Sequence, residues 1–275
     1  MSVKLIAFDM DGTLLDHDHV TIPEKNIAAL RAARERGIKI VAATGRSWSL
    51  LAPVVGPMGG VDYALTSNGS AVLEPAASRW LYTRPIPNNE SLELIRLLKG
   101  WQVPFEIYIE GQNYMENSSI PLMTEDLLGG PFTRYYGKYT TFVDDLEAVL
   151  ADRSIEKIDV FYVPPAHWEE LCKEIRAILP AQLAHSTPDN LEVTAMGVTK
   201  AAALEGLCEE LGISSDEVMA FGDGNNDVEM LQWAGLSFAM ENGAEDAKAA
   251  AKYLAPANHL GGLGEMVQKY ALDRT

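Results

Sequence analysis

VKLIAFDMDGTL, residues 3–14, sets a short apolar run against a pair of acids. Only Lys4 interrupts Val3, Leu5, Ile6, Ala7 and Phe8, the texture of a strand buried on both faces of a parallel sheet. The run stops at Asp9, and Asp11 follows two positions on. Two carboxylates beside an apolar core are expensive to desolvate unless a cation or a shared proton lies between them. Gly12 then frees the backbone to turn away. An Asp-Gly turn after a strand is also common, so at this point a turn and a catalytic pair stand side by side.

Two other runs repeat the pattern. IKIVAA (38–43) ends in Thr44-Gly45-Arg46, and EVMAF (217–221) ends in Gly222-Asp223-Gly224-Asn225-Asn226-Asp227. In an open α/β sheet the ligand crevice lies outside the carboxyl ends of the strands, so all three polar clusters fall at one place. VDYALT (61–66) reads as a further strand, and Asn68-Gly69 as the hairpin turn that joins it to Ala71–Leu73. The polar groups of Ser67, Asn68 and Ser70 therefore sit at a strand end as well.

Between the strands, Thr21 and Glu24 have capping-box spacing ahead of a helix carrying Ile27, Leu30 and Ala33, closed by Gly37. Thr199 can cap a helix with Ala203, Leu204, Leu207 and Leu211 on one face and Gly212 beyond its end. Lys200 then falls in the first turn, where the helix dipole disfavours a cation by a few tenths to about 1 kcal/mol. It reads as a lysine aimed at an anion.

The formal net charge of −17 over 275 residues argues against nucleic acid or an anionic membrane as partner. No apolar stretch is long enough to span a bilayer and the N-terminus has no leader pattern, so a cytoplasmic location is expected. Cys172 and Cys208 read as buried free thiols, and His17 and His19 as surface groups. Gly261-Gly262-Leu263-Gly264 only echoes a dinucleotide fingerprint, lacking the strand before it and the acid after it.

From 84 to 191 the texture changes, and the stretch holds nine of the 14 prolines. Strand candidates Phe105–Ile109, Tyr135–Tyr139 and Lys157–Val163 alternate with helix candidates Glu90–Leu98, Leu146–Leu150 and Trp168–Leu179. Leu191–Thr194 reads as the return to the first sheet. The expected fold is therefore α/β, a Rossmann-like parallel sheet domain (1–83 and 192–275) with an inserted α+β domain (84–191).

Asp9, Asp11, Asp223 and Asp227, with Thr44, Asn226 and Lys200, form an all-oxygen, carboxylate-rich set that selects a hard cation. Few protein ligands and room for water favour Mg²⁺ over Ca²⁺. The cation and Lys200 offset the acids and leave room for a phosphate, with backbone N–H groups near Gly12 and Gly45 as further donors. Phosphoryl transfer needs mainly alignment and charge neutralisation, which such a set supplies.

Asp9-Met10-Asp11-Gly12-Thr13, Thr44-Gly45-Arg46, Lys200 and Gly222-Asp223-x-Asn225-Asn226-Asp227 resemble the four ordered motifs of the haloacid dehalogenase superfamily of phosphatases. The short interval from Asp9 to Thr44 leaves no room for a cap domain, and the long one from Thr44 to Lys200 holds the insertion. That arrangement is similar to the Cof-type, or type IIB capped, subfamily, which Ser67-Asn68-Gly69 and Ala239-Met240-Glu241-Asn242-Gly243 also fit. The chain departs from that pattern in Ala201, where glycine is usual, and in Gly243, where alanine is usual.

The resemblance implies that Asp9 is the nucleophile and becomes an aspartyl-phosphate. Asp11 would protonate the leaving oxygen, for which it needs a raised pKa, and later activate water. The implied Mg²⁺ ligands are Asp9, Asp223 and the Asp11 backbone carbonyl, supported by Asp227. Met10, Thr44, Gly45, Lys200 and Asn226 would hold the phosphate, with Asn68 as a further candidate. The implied substrate is a small phosphorylated metabolite such as a sugar phosphate or phosphorylated cofactor. A phosphomutase and a non-catalytic metabolite-binding module remain as alternatives, and the sequence assigns no oligomeric state. Within the insertion, Glu110, Asn113, Tyr114, Tyr135 and Lys138 are the candidates to face the crevice.

Overall fold

The computed structural model describes residues 2–122, 130–185 and 189–273, so Pro188 lies outside the described residues. In chain order the strands are β1 Leu5–Phe8, β2 Lys39–Ala43, β3 Tyr63–Thr66, β4 Ala71–Glu74, β5 Arg79–Thr83, β6 Phe105–Ile109 and β7 Gln112–Glu116. They continue as β8 Thr141–Val143, β9 Lys157–Val160, β10 Ala181–Ala184, β11 Leu191–Ala195, β12 Val218–Gly222, β13 Leu236–Met240 and β14 Tyr253–Ala255. The α-helices are α1 Glu24–Glu35, α2 Trp48–Val55, α3 Asn88–Trp101, α4 Gly130–Tyr139, α5 Leu146–Leu150, α6 Trp168–Ile178, α7 Lys200–Leu211, α8 Val228–Trp233, α9 Glu245–Ala250 and α10 Gly262–Val267.

Among the described residues the strands form two sheets. The first runs β14-β13-β12-β1-β2-β3-β4-β5, parallel from β14 to β3 and antiparallel at β4 and β5. Its central strands are apolar on both sides because both sides are covered. Ile6, Phe8, Ile40 and Phe221 pack with Leu30 of α1 and Leu263 of α10. Leu5, Ala7, Val41 and Ala220 pack with Leu204 of α7 and Met230 of α8 on the opposite face. Phe8 is in register with Ala42 and Phe221, so β1, β2 and β12 end level with one another. The residues after those ends are the ones that carry the polar clusters.

The second sheet runs β10-β11-β9-β6-β7-β8. One face, with Phe105, Ile107, Ile158, Val160, Leu191 and Val193, packs on α3, α5 and α6 through Leu94, Ile95, Leu146, Leu171 and Ile175. Alternate residues of the same strands, Glu106, Tyr108, Lys157, Asp159 and Glu192, point the other way. Fold class and two-part architecture thus match the sequence reading.

Four local expectations need correction. Leu191–Ala195 does not return to the first sheet; it pairs antiparallel with β9 and β10. Tyr135–Tyr139 is the end of α4 and not a strand: its aromatics fit a helical spacing, and the Tyr135 and Tyr139 rings meet one turn apart, tilted by 49° with centroids at 4.9 Å. Thr21 does not cap α1, because its hydroxyl donates to Asp18 Oδ2 at 2.6 Å and Pro23 stands at the N-cap. The strand expected over Lys157–Val163 ends at Val160.

Other expectations hold. Asn68-Gly69 joins β3 to antiparallel β4, and the Thr199 hydroxyl accepts from Ala202 N at 3.1 Å. Cys172 and Cys208 are free and buried, and burial pushes the Cys208 thiol up to about 12. The glycines at 262 and 264 serve packing: a Cβ there would collide with the Pro256 and Lys25 carbonyl oxygens. Among the described residues no helix is long and apolar enough to cross a membrane.

Candidate active site

Four segments remote in sequence meet beyond the carboxyl ends of β1, β2 and β12. Asp9 leaves β1 with its N–H still bonded to Phe221 O at 3.1 Å, which places its side chain beside the end of β12. The tight turn Met10–Leu14 follows, with Gly12 at φ +77°. A Cβ on Gly12 would come within 2.2 Å of Asp223 Oδ2, so only glycine lets that carboxylate approach. Thr13 Oγ1 donates to Asp223 Oδ1 at 2.6 Å and fixes its rotation.

Asp227 is satisfied from two directions. Its Oδ2 accepts from the N–H groups of Asp223 and Gly224, both at 2.9 Å, and its Oδ1 lies 2.7 Å from Lys200 Nζ. The same ammonium reaches Asp9 Oδ1 at 2.6 Å. Lys200 is thus the anion-directed lysine its place in α7 announced, buried between two carboxylates. Burial works against its charge, but Asp227 and Asp9 hold its pKa well above the usual lysine range.

Negative charge nonetheless exceeds positive here. Burial raises Asp9 well above the usual carboxylate range; Lys200 opposes that, while Asp227, Asp223 and Asp11 add to it. Asp223 is pushed up to about 7, by burial first and the Asp227 charge next. Asp9, Asp223 and Asp227 each place an oxygen within 4.8 Å of the others, the one such group among the described residues. Hard oxygen donors crowded together with uncompensated charge fit a hard divalent cation.

Asp11 is set differently from the other acids. Arg46 grips it bidentately, Nε to Oδ2 at 2.7 Å and Nη2 to Oδ1 at 2.5 Å, and His19 Nδ1 lies 2.9 Å from Oδ1. Burial alone would raise its pKa, but the Arg46 charge and the hydrogen bonds of His19 and Arg46 hold it far below the usual range. The raised pKa expected at Asp11 is therefore overturned in this arrangement. With a side chain 37% exposed, solvent screens part of the effect. Its carboxylate also stays out of the Asp9–Asp223–Asp227 group. His19 is exposed, as expected, and its ring also bonds Asp11, which raises its pKa while burial opposes it.

The remaining candidates lie in the loops around these acids. Thr44 Oγ1 accepts from Arg46 N at 3.1 Å, and Asn68 N donates to Thr44 O at 3.0 Å. Asn226 Nδ2 donates to Asn68 Oδ1 at 3.2 Å, and a Cβ on Gly45 would lie 3.1 Å from that same oxygen. Met10 is fully buried in the turn after Asp9. Asn242, from the loop after β13, donates to Gly12 O at 2.7 Å and braces the turn from outside.

The second sheet closes over these loops. Ser49 Oγ donates to Asn113 Oδ1 at 2.9 Å, and Ser67 Oγ to Glu156 Oε2 at 3.0 Å. The Tyr135 hydroxyl bonds Leu50 O, and the Arg46 guanidinium lies 5.9 Å from the Tyr135 ring centroid. Of the crevice candidates in the insertion, Asn113 and Tyr135 reach the first unit. Glu110 and Tyr114 instead lie against Arg153, and Lys138 over Tyr139. Lys157 and Glu192, which the sequence reading passed over, lie against Gly45 and Asn68. Their signal was period-two alternation, Leu191 and Val193 inward with Glu192 between them.

The family of haloacid dehalogenase-like hydrolases matches residues 6–267. The chain is 28% identical over 272 residues to 5-amino-6-(5-phospho-D-ribitylamino)uracil phosphatase YcsE of Bacillus subtilis, covering 99% of this chain and 97% of the relative. It is 31% identical over 259 residues to the HMP-PP phosphatase of Escherichia fergusonii, covering 93% and 90%. A solved sugar phosphatase of HAD subclass IIB superposes with TM-score 0.80 at 25% identity, covering 98% of this chain and all of the other.

Proposed function

The chain belongs to the haloacid dehalogenase-like hydrolases, and from that premise we propose that it is a Mg²⁺-dependent phosphatase working through an aspartyl-phosphate on Asp9. Its substrates on this reading are small phosphomonoesters met in the cytoplasm; the phosphatase relatives support the broader class of small phosphorylated metabolites. The unit on the first sheet is catalytic; the second sheet caps it, with β11 counted in the cap.

The observation that carries this reading is the gathering of Asp9, Lys200, Asp223 and Asp227 at the ends of β1 and β12. Asp9 and Asp223, with the Asp11 carbonyl, hold Mg²⁺, which when bound neutralises phosphate charge and carboxylate repulsion. Lys200 favours the ionised form of Asp9 against burial and orients it, and a bound cation would add to that, so that a carboxylate oxygen can form a bond to phosphorus while the ester oxygen leaves. Thr44, Gly45 N–H, Met10 N–H, Lys200 and Asn226 hold the phosphate oxygens, and Asn68 positions Asn226. Asp11 gives its proton to the departing oxygen and later takes one from the attacking water. The Arg46 grip suits the second task, when Asp11 must be an anion, and has to relax for the first.

The second sheet's inward face bears on the mutase alternative. It presents Asp159 and Glu192 paired to Lys157, with the buried Glu106 bonded to the Tyr136 hydroxyl beside them, a surface unsuited to gripping a second phosphate, which favours hydrolysis over transfer back to substrate. The test is phosphate release from a panel of phosphomonoesters with Mg²⁺ and with chelator. Release that needs Mg²⁺ and vanishes in Asp9→Asn supports the reading; isomerisation of a bisphosphate without net release overturns it.

A further inference from the structure

Lys157 and Lys200 are among the largest fully buried side chains of the molecule, and the proposed function uses only Lys200. Lys157 Nζ lies 2.9 Å from Glu192 Oε1 and 3.1 Å from Asp159 Oδ2, with the Tyr108 ring centroid at 4.7 Å. A buried ion pair is a poor device for stability, because desolvation consumes most of its attraction. What this pair does supply is a fixed carboxylate.

The second oxygen of that carboxylate, Glu192 Oε2, accepts from Asn68 Nδ2 at 2.8 Å. The bond leaves only one orientation for the Asn68 amide, its oxygen turned toward the first unit. That oxygen accepts from Asn226 Nδ2 at 3.2 Å. One N–H of Asn226 is thereby tied, and the other is left for a phosphate oxygen. The same groups crowd Gly45: a Cβ there would meet Asn68 Oδ1 and Glu192 Oε1 at 3.1 Å and Lys157 Nζ at 3.3 Å. Asn68 itself sits at φ +58°, a conformation that costs free energy and persists where surrounding contacts hold it.

We propose that Lys157, Glu192 and Asn68 form a positioning relay by which the second sheet, once seated, sets Asn226 and the Gly45 loop for phosphate. The inference rests on the phosphatase reading of this site. It assigns Lys157 and Glu192 to the phosphoryl group common to all substrates and not to recognition of any leaving group.

The experiment compares wild type with Glu192→Ala, Glu192→Gln, Asn68→Gly and the Glu192→Ala/Asn68→Gly double variant. Glycine accepts the left-handed backbone at 68, so that variant tests the side chain without new strain. Two readouts are used: kcat/KM on phosphomonoesters with unrelated leaving groups, and calorimetric affinity for inorganic phosphate in the presence of Mg²⁺. A relay predicts that Glu192→Ala and Asn68→Gly each lose about tenfold, the scale of one charge-assisted hydrogen bond. The loss is the same for every ester and appears equally in phosphate affinity. The double variant falls no further, and Glu192→Gln, which keeps an acceptor oxygen for Asn68, recovers most of it. Losses confined to some leaving groups, unchanged phosphate affinity, or additive single losses would overturn the relay. Phosphate affinity needs no turnover, so a wild type that releases no phosphate would sink the phosphatase reading while the relay is still read directly.

Discussion

Gly12 and Lys200 are the two positions where one side chain, absent or present, decides whether the acids can coexist. Substituting Gly12 by Ala would drive a Cβ into Asp223 and impose a left-handed φ on an L residue. The expected outcome is a loss of about 1–3 kcal/mol of stability with activity largely abolished, checked by urea unfolding and phosphate release. Lys200→Met keeps the volume but leaves Asp9 and Asp227 facing each other in a buried site. Without metal it should cost about 3–5 kcal/mol, and added Mg²⁺ should restore part of that in thermal unfolding. Both residues were legible in the chain, Gly12 as the turn after paired acids and Lys200 by its awkward place at a helix start. Arg46 and His19 were not assigned to Asp11, because an arginine after a glycine and a histidine in a polar flap carry no local sign of which acid they will meet.

Among the elements, β6 carries the group whose ionisation should mark stability. Glu106 is buried and accepts from the Tyr108 and Tyr136 hydroxyls and Asn113 Nδ2, yet burial first, and the Asp159 charge next, push it up to about 7. The folded chain therefore binds more protons than the unfolded chain between about pH 4.5 and 7. Its stabilising contribution is complete below that window and is lost as pH rises through it, on the order of 3 kcal/mol in total. Urea unfolding at about pH 5 and about pH 8 should show that decline, and Glu106→Gln should flatten it. The first sheet was readable because LIAF, KIVAA and VMAFG are unbroken apolar runs, as strands covered on both faces must be. LEVTA alternates, which marks a strand with one polar face, and β11 indeed lies in the second sheet. Tyr135–Tyr139 misled because five residues of mixed aromatic and polar character fit both a two-residue and a helical period, and tertiary contacts to Leu50 and Glu106 chose the helix.

In the whole molecule, one unit supplies the acids and Lys200 while the other closes on the loops at 44–49 and 67–70. That closure runs through Asn113, Tyr135, Glu156 and Glu192. The arrangement sets the Lys200 ammonium against Asp9, as the proposed covalent phosphoryl transfer requires. The most direct test is to acid-quench the enzyme during turnover of a phosphomonoester with Mg²⁺ and map the phosphoryl adduct by mass spectrometry. The adduct is expected on the peptide carrying Asp9 and should be absent in Asp9→Asn. An adduct on another residue, or full-rate phosphate release by Asp9→Asn, would contradict it.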